Sequence, residues 1–400
     1  MKIQRELEMG SELSIVNLVD FLIEHAHELR SSDIHIDPLE DTVRVRLRID
    51  GVLQDIDFLP KKIHSEIISR IKILAGLRTD EHQAAQDGRF RRVIENNGPI
   101  DIRVSIAPTY FGENAVLRLL ADKSEEFALD ALDFSEKNKD RIMRSLRKSY
   151  GMILATGPTG SGKTTTLYTM IKKLNTKEVS IITIEDPIEY AIEGVKQVQV
   201  NPRTGLTFAS GLRSFLRQDP DIIMVGEIRD TETAGLAVNT ALTGHLLLST
   251  LHTNDAATTL PRLLDMKIEP YLVASTVNIA IGQRLARRIC PNCKTKKRIS
   301  KKEYQSLSEI LPPEIKRHRT FSYGGGCGQC NQTGYRGRLG IQEVLVVDND
   351  IRDAILVKSP ANEIRKIAVR NGMVTMVEDG FQKAKAGLTT IDEVLRVFYE

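Results

Sequence analysis

Residues 157–164 of this 400-residue chain read GPTGSGKT and match the pattern GxxxxGK[ST]. An apolar run, 151–156, precedes the pattern, and a run with helical spacing, 164–171, follows it. In this setting glycines let backbone N–H groups curve around a phosphate, and the N-terminus of the helix adds positive potential. A glycine-rich turn that matches by chance is the alternative, which the strand–loop–helix setting disfavours. The sequence therefore predicts a phosphate-binding loop within an α/β domain.

The residues of this loop have separate expected roles. Lys163 can reach the β- and γ-phosphates of a nucleoside triphosphate, and the Thr164 hydroxyl is placed to ligate magnesium. We therefore expect ATP and Mg²⁺ as ligands. The predicted nucleotide-contacting residues are Gly157, Pro158, Thr159, Gly160, Ser161, Gly162, Lys163, Thr164 and Thr165.

The composition is that of an ordinary soluble globular protein of two or three domains. Hydrophobic residues make up 41% and charged residues 27%, with a net charge of +3, so charge alone indicates no particular partner. No apolar run approaches the ~20 residues of a membrane-spanning helix. The N-terminus also lacks the apolar core of a signal peptide. We expect a cytoplasmic protein, or one that reaches the cytoplasmic face of a membrane through partners.

All four cysteines lie in two CxxC pairs, Cys290 with Cys293 and Cys327 with Cys330, and 33 residues separate the pairs. Two such turns can direct four thiolates at one Zn²⁺, although the gap exceeds the usual ~15–20 residues. Disulfides are disfavoured in a reducing cytoplasm, and neither pair follows a strand that opens a helix, as a thioredoxin-like motif requires. The pattern predicts a structural zinc site in an insertion at about 288–336.

The N-terminal part of the chain changes its hydrophobic period. Helical spacing over 11–30 gives way to period-two alternation, and Asp50-Gly51 is a hairpin signal between two alternating runs. Helical spacing returns over 61–77 before further alternating runs. We expect an α+β domain with an antiparallel sheet at 1–120, followed by a polar linker at 121–134.

From residue 135 onward, helical segments alternate with short apolar runs. The runs are 151–156, 180–185, 221–226 and 246–250. Such alternation predicts a mainly parallel sheet covered by helices. We expect an α/β domain at 135–400 that contains the zinc insertion and ends in a helical tail at about 340–400.

Two predicted strands of this sheet end in acidic residues, Glu185 and Glu227. Phosphoryl transfer to water needs one acid to hold the Mg²⁺ shell and another to orient the attacking water. The sequence leaves open which acid has which role, and we favour Glu227 as the indispensable one. Carboxylates that only cap the following turn are the alternative.

Histidines flank the next apolar run, His245 before it and His252 after it. A polar residue at the end of a core strand can sense the γ-phosphate and report its loss. A purely structural role is the alternative for each histidine. Because two of them bracket one strand, we take both as candidate site residues.

Seven segments together resemble the bacterial secretion ATPases of the type II secretion and type IV pilus assembly systems. They are 32–38, 46–51, 156–164, 184–189, 216–230, 243–253 and 283–288. In that family the stretch 185–189 matches the Asp box, 221–227 the Walker B strand and 245–252 the His box. The resemblance implies a RecA-like P-loop ATPase domain with a four-cysteine zinc insertion, preceded by a smaller, PAS-like α+β domain.

The same resemblance implies a ring hexamer with sites between domains and subunits. Arg103 and Arg118 then match positions that approach the γ-phosphate, and Arg213 and Arg229 match arginines near the acids. Guanidinium groups suit this role because they neutralise the charge of a transferring phosphoryl group. The implied partners are further copies of the chain, an inner-membrane platform protein and other inner-membrane components. No direct contact with nucleic acid is expected.

The predicted function is an ATP-hydrolysing motor whose interdomain motion drives pilin-like subunits outward, in either a secretion or a pilus machine. A RecA-like motor acting on DNA is one alternative, disfavoured by 5% aromatic residues and no Trp. A non-hydrolysing nucleotide-binding scaffold is another, disfavoured by the complete phosphate loop and both acids. Because the matching pattern begins almost at Met1, we expect no separate N-terminal docking domain of the kind many family members have.

Overall fold

A computed structural model describes residues 6, 13–94, 98–120, 129–300 and 318–399. The chain divides into two compact units, residues 1–123 and 124–400. Among the described residues, no helix combines the length and the apolar character that crossing a bilayer requires.

Within the described residues, the first unit is a six-stranded antiparallel sheet with two α-helices, in the strand order β3-β2-β1-β6-β5-β4. Its elements are α1 (Ile15–Glu28), β1 (Ser31–Pro38), β2 (Thr42–Ile49), β3 (Val52–Pro60), α2 (His64–Ala75), β4 (Gln86–Ile94), β5 (Gly98–Thr109) and β6 (Gly112–Leu120).

Alternation along the strands decides which face of this sheet is buried. In β2, Val43, Val45 and Leu47 are buried in a core that also contains the apolar residues of α1 and α2. The intervening residues of each strand therefore lie on the opposite face, where polar side chains collect. The predicted turn at Asp50-Gly51 is confirmed: both residues have positive φ, +50° and +89°, as a two-residue type I′ turn requires.

The second unit contains a seven-stranded sheet in the order β15-β12-β7-β11-β10-β8-β9. Its strands are β7 (Gly151–Thr156), β8 (Ile181–Glu185), β9 (Lys196–Gln199), β10 (Ile222–Val225), β11 (Leu246–Leu251), β12 (Val277–Ile289) and β15 (Tyr335–Val346). All neighbours pair in parallel except β15, which is antiparallel to β12. The predicted mainly parallel sheet is confirmed.

Helices cover both faces of this sheet, and a short antiparallel hairpin forms a separate two-stranded sheet. The helices are α3 (Glu136–Leu146), α4 (Lys163–Leu174), α5 (Phe208–Phe215), α6 (Thr231–Leu242), α7 (Ala256–Asp265), α8 (Pro270–Thr276), α9 (Asn349–Leu356), α10 (Ala361–Arg370), α11 (Met376–Lys385) and α12 (Ile391–Tyr399). The hairpin is made of β13 (Lys294–Arg298) and β14 (Thr320–Gly324).

The helical tail predicted from about residue 340 is wrong in its first part. Residues up to Val346 continue β15, and the first helix of the tail begins at Asn349. Most of β15 is buried, and a short buried apolar run looks alike in helix and strand. The segment predicted to bind zinc therefore connects two paired strands, β12 and β15, and the helical tail begins only after β15.

The predicted linker at 121–134 lies in part outside the described residues, at 121–128. Its last described part belongs to the second unit, because Phe134 is 4% exposed and packs in the core beneath α3 and α4. Ser135 then caps α3 by accepting a hydrogen bond from the Asn138 amide.

Candidate active site

The phosphate loop lies between the end of β7 and the start of α4. Gly157, Gly160 and Gly162 have φ values of +142°, +77° and +88°, a backbone region that favours glycine. A Cβ atom at Gly157 would overlap the carbonyl oxygen of Gln283. The loop therefore packs directly on the backbone of β12, and only glycine fits at this position.

Lys163 is the first residue of α4, and its ammonium group closes the loop. Its Nζ donates to the carbonyl oxygens of Gly157 at 2.8 Å and Pro158 at 3.0 Å. Burial lowers the pKa of Lys163, and the charge of Glu227 offsets part of that shift. The buried hydroxyl of Ser161 has no hydrogen-bond partner among the described residues. This lysine, an orphaned hydroxyl and a glycine cradle fit a bound phosphate chain.

The remaining predicted contact residues surround this cradle. Pro158, Thr159 and Gly160 form its exposed tip, and Thr164 and Thr165 lie half-buried in the first turn of α4. A threonine hydroxyl directly after the loop lysine suits Mg²⁺, which prefers hard oxygen ligands. The donor set therefore fits a nucleotide with its magnesium ion.

Glu227 lies two residues after β10 and is held by an arginine and a histidine. Its Oε2 is 2.8 Å from Nε2 of His252, and its Oε1 accepts a hydrogen bond from Nη2 of Arg229. Arg229 also lies 3.8 Å from the Asp186 carboxylate. Burial raises the pKa of Glu227, but the hydrogen bonds from Arg229 and His252 outweigh it and leave the pKa below its usual value. The structure thus assembles Glu227, Arg229 and His252 into one charged group.

Glu185 ends β8 in a different environment. It is 2% exposed, and its carboxylate accepts from the Tyr168 hydroxyl, from Thr183 Oγ1 at 2.5 Å and from Gln197 Nε2 at 3.2 Å. Burial raises the pKa of Glu185, and these hydrogen bonds only reduce the shift. Burial and the neighbouring carboxylate also raise the pKa of Tyr168. In this conformation Glu185 is enclosed by neutral donors.

The structure does not bring all predicted residues to this edge of the sheet. His245 precedes β11 and contacts the Thr240 carbonyl oxygen at 3.2 Å, whereas His252 follows β11. A strand of six residues spans about 20 Å. Within one chain the two histidines therefore lie at opposite ends of β11. Of the two candidate histidines, the structure places His252 beside Glu227 and His245 at the other end of β11. Arg213 pairs with the exposed Glu232 at 2.5 Å.

Arg103 and Arg118 lie in the first unit, directly opposite each other on β5 and β6. Arg118 donates through Nε to Asp33 at 2.9 Å, and its side chain is 57% exposed. Both arginines occupy the polar face of that sheet, away from the core.

Gln283 is a site residue that the sequence reasoning missed. It is 3% exposed on β12, and its Nε2 donates to the Ser161 carbonyl oxygen at 2.8 Å. Its Oε1 accepts from Thr166 Oγ1 at 2.9 Å. One amide therefore ties the loop to the first turns of α4. The signal was a buried glutamine inside an apolar run, within one of the family-like segments.

The four cysteines converge at the tip of the β12–β15 pair. Their sulfur atoms all lie within 4.8 Å of one another, with contacts of 3.9 Å, 3.8 Å and 3.6 Å. Tetrahedral coordination with Zn–S bonds near 2.3 Å places sulfurs about 3.8 Å apart. The amides of Cys327 and Gly334 donate to the Cys330 sulfur, as suits a thiolate. The four residues form one site that fits a tetrahedral metal ion.

Comparison with known proteins gives the family. A model of the type II/IV secretion system protein family matches residues 8–396. The chain belongs to this family. It is 46% identical to a type II secretion system protein E of Xanthomonas campestris over 98% of the chain and 68% of that protein. It is also 46% identical to the type IV pilus assembly ATPase PilB of Thermus thermophilus, of which it spans 44%.

Solved structures agree with the fold of this family member. The Legionella pneumophila ATPase DotB has a TM-score of 0.68 at 23% identity, covering 94% of each chain. The pilus retraction motor PilT, solved with ADP, has a TM-score of 0.64 at 27% identity, covering 96% of this chain and 97% of PilT. The family resemblance and the α/β fold class inferred from the sequence are confirmed.

Proposed function

We propose that this chain is a Mg²⁺-dependent ATPase that drives a type II secretion or type IV pilus assembly machine. The observation that carries this proposal is the complete phosphate cradle. The charge of Glu227 acts on Lys163 of this cradle, and Glu227 itself contacts His252 and Arg229. Relatives named as secretion and pilus assembly ATPases support the assignment.

In this mechanism the loop amides and Lys163 bind the phosphates, and Thr164 contributes a ligand to Mg²⁺. The magnesium ion, when bound, neutralises charge on the β- and γ-phosphates. Glu227, charged near neutral pH because its pKa is lowered, orients the attacking water or holds the magnesium shell. His252 and Arg229 keep its carboxylate in one orientation. Glu185 takes the other role if it is released from its enclosed position.

The proposal extends to assembly and location. Arg103 and Arg118 would complete the nucleotide site within a homohexameric ring, and Arg213 and His245 would act there across subunits. The ring would work at the cytoplasmic face of the inner membrane, through a platform protein and other inner-membrane components. The domain division would be an α+β domain at 1–120, a linker at 121–134 and an ATPase domain at 135–400.

We further propose that the four-cysteine site holds Zn²⁺ and has a structural role. Four thiolates and no His or carboxylate in the set favour zinc and leave no open position for catalysis.

The test is ATP hydrolysis by purified protein with Mg²⁺, fractionated by size and compared with Lys163→Ala. We expect activity in a hexamer-sized fraction, abolished in the variant because the phosphates lose their cation. The same preparation, analysed for metals, should hold about one zinc per chain. Nucleotide binding without turnover in a hexamer-sized fraction would contradict the proposal and favour a scaffold. Stimulation by DNA would favour the DNA motor.

A further inference from the structure

A row of three residues crosses the large sheet of the second unit directly beside the phosphate loop. Thr156, the last residue of β7, lies opposite Gly282 of β12, and Gly282 lies opposite Glu343 of β15. Directly opposed residues present their side chains on the same face of a sheet. The row therefore carries a hydroxyl and a carboxylate on either side of a position that has no side chain.

The segment that follows β11 packs into the gap over Gly282. A Cβ atom at Gly282 would lie 2.9 Å from the amide nitrogen of Ala256, the first residue of α7, and 3.0 Å from the Glu343 side chain. Any larger residue at this position would displace Ala256 or Glu343. The start of α7 is therefore fitted closely between β12 and the carboxylate.

Thr156 and Glu343 bind this segment from the two sides of the gap. The Thr156 hydroxyl donates to the Thr253 carbonyl oxygen at 2.8 Å and accepts from the Thr253 amide at 3.1 Å. Glu343 accepts from the Ala256 amide at 2.8 Å and, through its other oxygen, from the Met376 amide at 3.0 Å. Residues 253–256 are therefore hydrogen-bonded to the sheet at both ends.

His252 comes directly before this segment. Its imidazole lies 2.8 Å from Glu227, yet its side chain is 51% exposed, so packing around the ring restrains it little. The position of the His252 backbone then decides whether the imidazole reaches the carboxylate. That position depends on how residues 253–256 are held.

Helix capping is the competing explanation for Glu343, because its carboxylate accepts from the first amides of α7 and α11. Both helices, however, have a capping box of their own, made by Asp255 with Thr258 and by Thr375 with Glu378. A carboxylate that is 2% exposed is also costly to bury. Capping alone does not require one buried acid to join two helices that already have caps.

We propose that Glu343 is a positioning residue for ATP hydrolysis, which fixes residues 253–256 and through them holds His252 against Glu227. The inference rests on the proposed function and deepens it. Thr156 joins the same segment to the start of the phosphate loop. The phosphate cradle and the Glu227 group are thereby kept in one relative position, and a displacement of about 1 Å in such a site can cost about 10²-fold in rate.

The test compares Glu343→Gln with Asp379→Asn in the hydrolysis of ATP. Asp379 is a matched control, because it is 6% exposed and accepts from the Gln342 amide of β15 and from Lys383. Each variant is also made in a His252→Ala background, where single-turnover hydrolysis keeps slow variants measurable. Thermal melting checks that every variant is folded.

We expect Glu343→Gln to lower kcat about tenfold and to leave the KM for ATP unchanged, because one of its amide partners is lost while the phosphate cradle stays intact. Asp379→Asn should match the unmodified protein in kcat. In the His252→Ala background Glu343→Gln should cause no further loss, because its effect passes through His252. Gly282→Ala, which keeps the carboxylate but displaces the segment, should also lower kcat.

Two results would overturn the positioning role and leave the ATPase proposal standing. One is an unchanged kcat in Glu343→Gln while the unmodified protein hydrolyses ATP. The other is a loss of the same size with and without His252, which would show that Glu343 acts on the stability of the domain as a whole. If the unmodified protein hydrolyses no ATP, both proposals are wrong.

Discussion

Glu185 and Glu227 come from neighbouring strands, yet their surroundings differ. β8 and β10 pair in parallel, with Ile184 beside Val225. Both acids therefore lie at the carboxyl ends of their strands, on the same side of the sheet. Glu185 is enclosed by a tyrosine, a threonine and a glutamine, whereas the Glu227 side chain is 12% exposed and held by an arginine and a histidine. The position of each acid at the end of a strand brings it to the site. Its hydrogen-bond partners then influence the direction in which its pKa is shifted.

The charge of the partners accounts for the opposite pKa shifts. Burial raises the pKa of both acids. Neutral donors at Glu185 do not overcome that cost, whereas charge-assisted hydrogen bonds at Glu227 do. Glu185 therefore holds its proton to a higher pH than an ordinary glutamate, and Glu227 loses its proton at a lower pH.

The largest effect that would sharpen this comparison is expected from Glu227→Gln. The change removes the anion but keeps the shape, so we expect kcat to fall by about 10²–10³-fold with nucleotide affinity preserved. Steady-state kinetics and nucleotide titration measure both. Glu363→Gln, an exposed glutamate that pairs with Lys366, is the control and should have no effect. An equal loss of kcat in Glu185→Gln would break the contrast and show that Glu185 leaves its enclosed position during turnover.

A smaller effect is expected on stability from Tyr168→Phe. Loss of the hydroxyl leaves an oxygen of the buried Glu185 carboxylate without its donor, which costs about 1–3 kcal/mol of unfolding free energy. Denaturant unfolding measures it. Tyr150→Phe, at a 53% exposed tyrosine, is the matched control and should leave stability unchanged. Equal stability of the two variants would show that the Tyr168 hydrogen bond contributes nothing.

The smallest effect is expected in the pH dependence of stability. The contributions of Glu185 and Glu227 to the free energy of unfolding change with pH in opposite directions. Because the folded pKa of Glu185 is raised, its contribution declines as pH rises above the unfolded value of about 4.3. Because the folded pKa of Glu227 is lowered, its contribution is present above about pH 4.3 and is lost as pH falls below it.

This sign difference is measured by unfolding the unmodified protein, Glu185→Gln and Glu227→Gln across the acidic range to neutrality. The stability difference between the unmodified protein and Glu185→Gln should shrink as pH rises. The difference for Glu227→Gln should grow. Slopes of the same sign would contradict the assignment of opposite pKa shifts.

The sequence predicted what depends on local pattern. The phosphate loop, the parallel strands β7, β8, β10 and β11, and the cysteine turns have spacings that short-range chemistry dictates. The separation of His245 from His252 could also be predicted from the sequence, because the two residues lie before and after the same strand, β11. The enclosure of Glu185 was not, since Tyr168 and Gln197 come from other elements.

The basic stretch at 284–288 is a second case in which the sequence alone does not show the contacts of a residue. In the sequence it is a local basic cluster beside a cysteine. In the structure Arg284 donates to the Val397 carbonyl oxygen, Arg287 binds the buried Glu393, and Arg288 binds Asp133. Hydrogen bonds from Arg396 and Arg287 lower the pKa of Glu393 to about 2, against the effect of its burial. The cluster secures α12 and the start of the second unit, which only the tertiary fold reveals.

Strand β12 has two neighbours along its first half and one along its second. Pairing with β7 ends at Gly282, whereas pairing with β15 continues to Ile289. Local opening follows the number of bonded neighbours, so amide hydrogen exchange should be slowest before Gly282 and faster toward Cys290. Loss of a metal ion from the proposed cysteine site would then loosen the end of β12 near Cys290 before it reaches the part of the strand that pairs with β7.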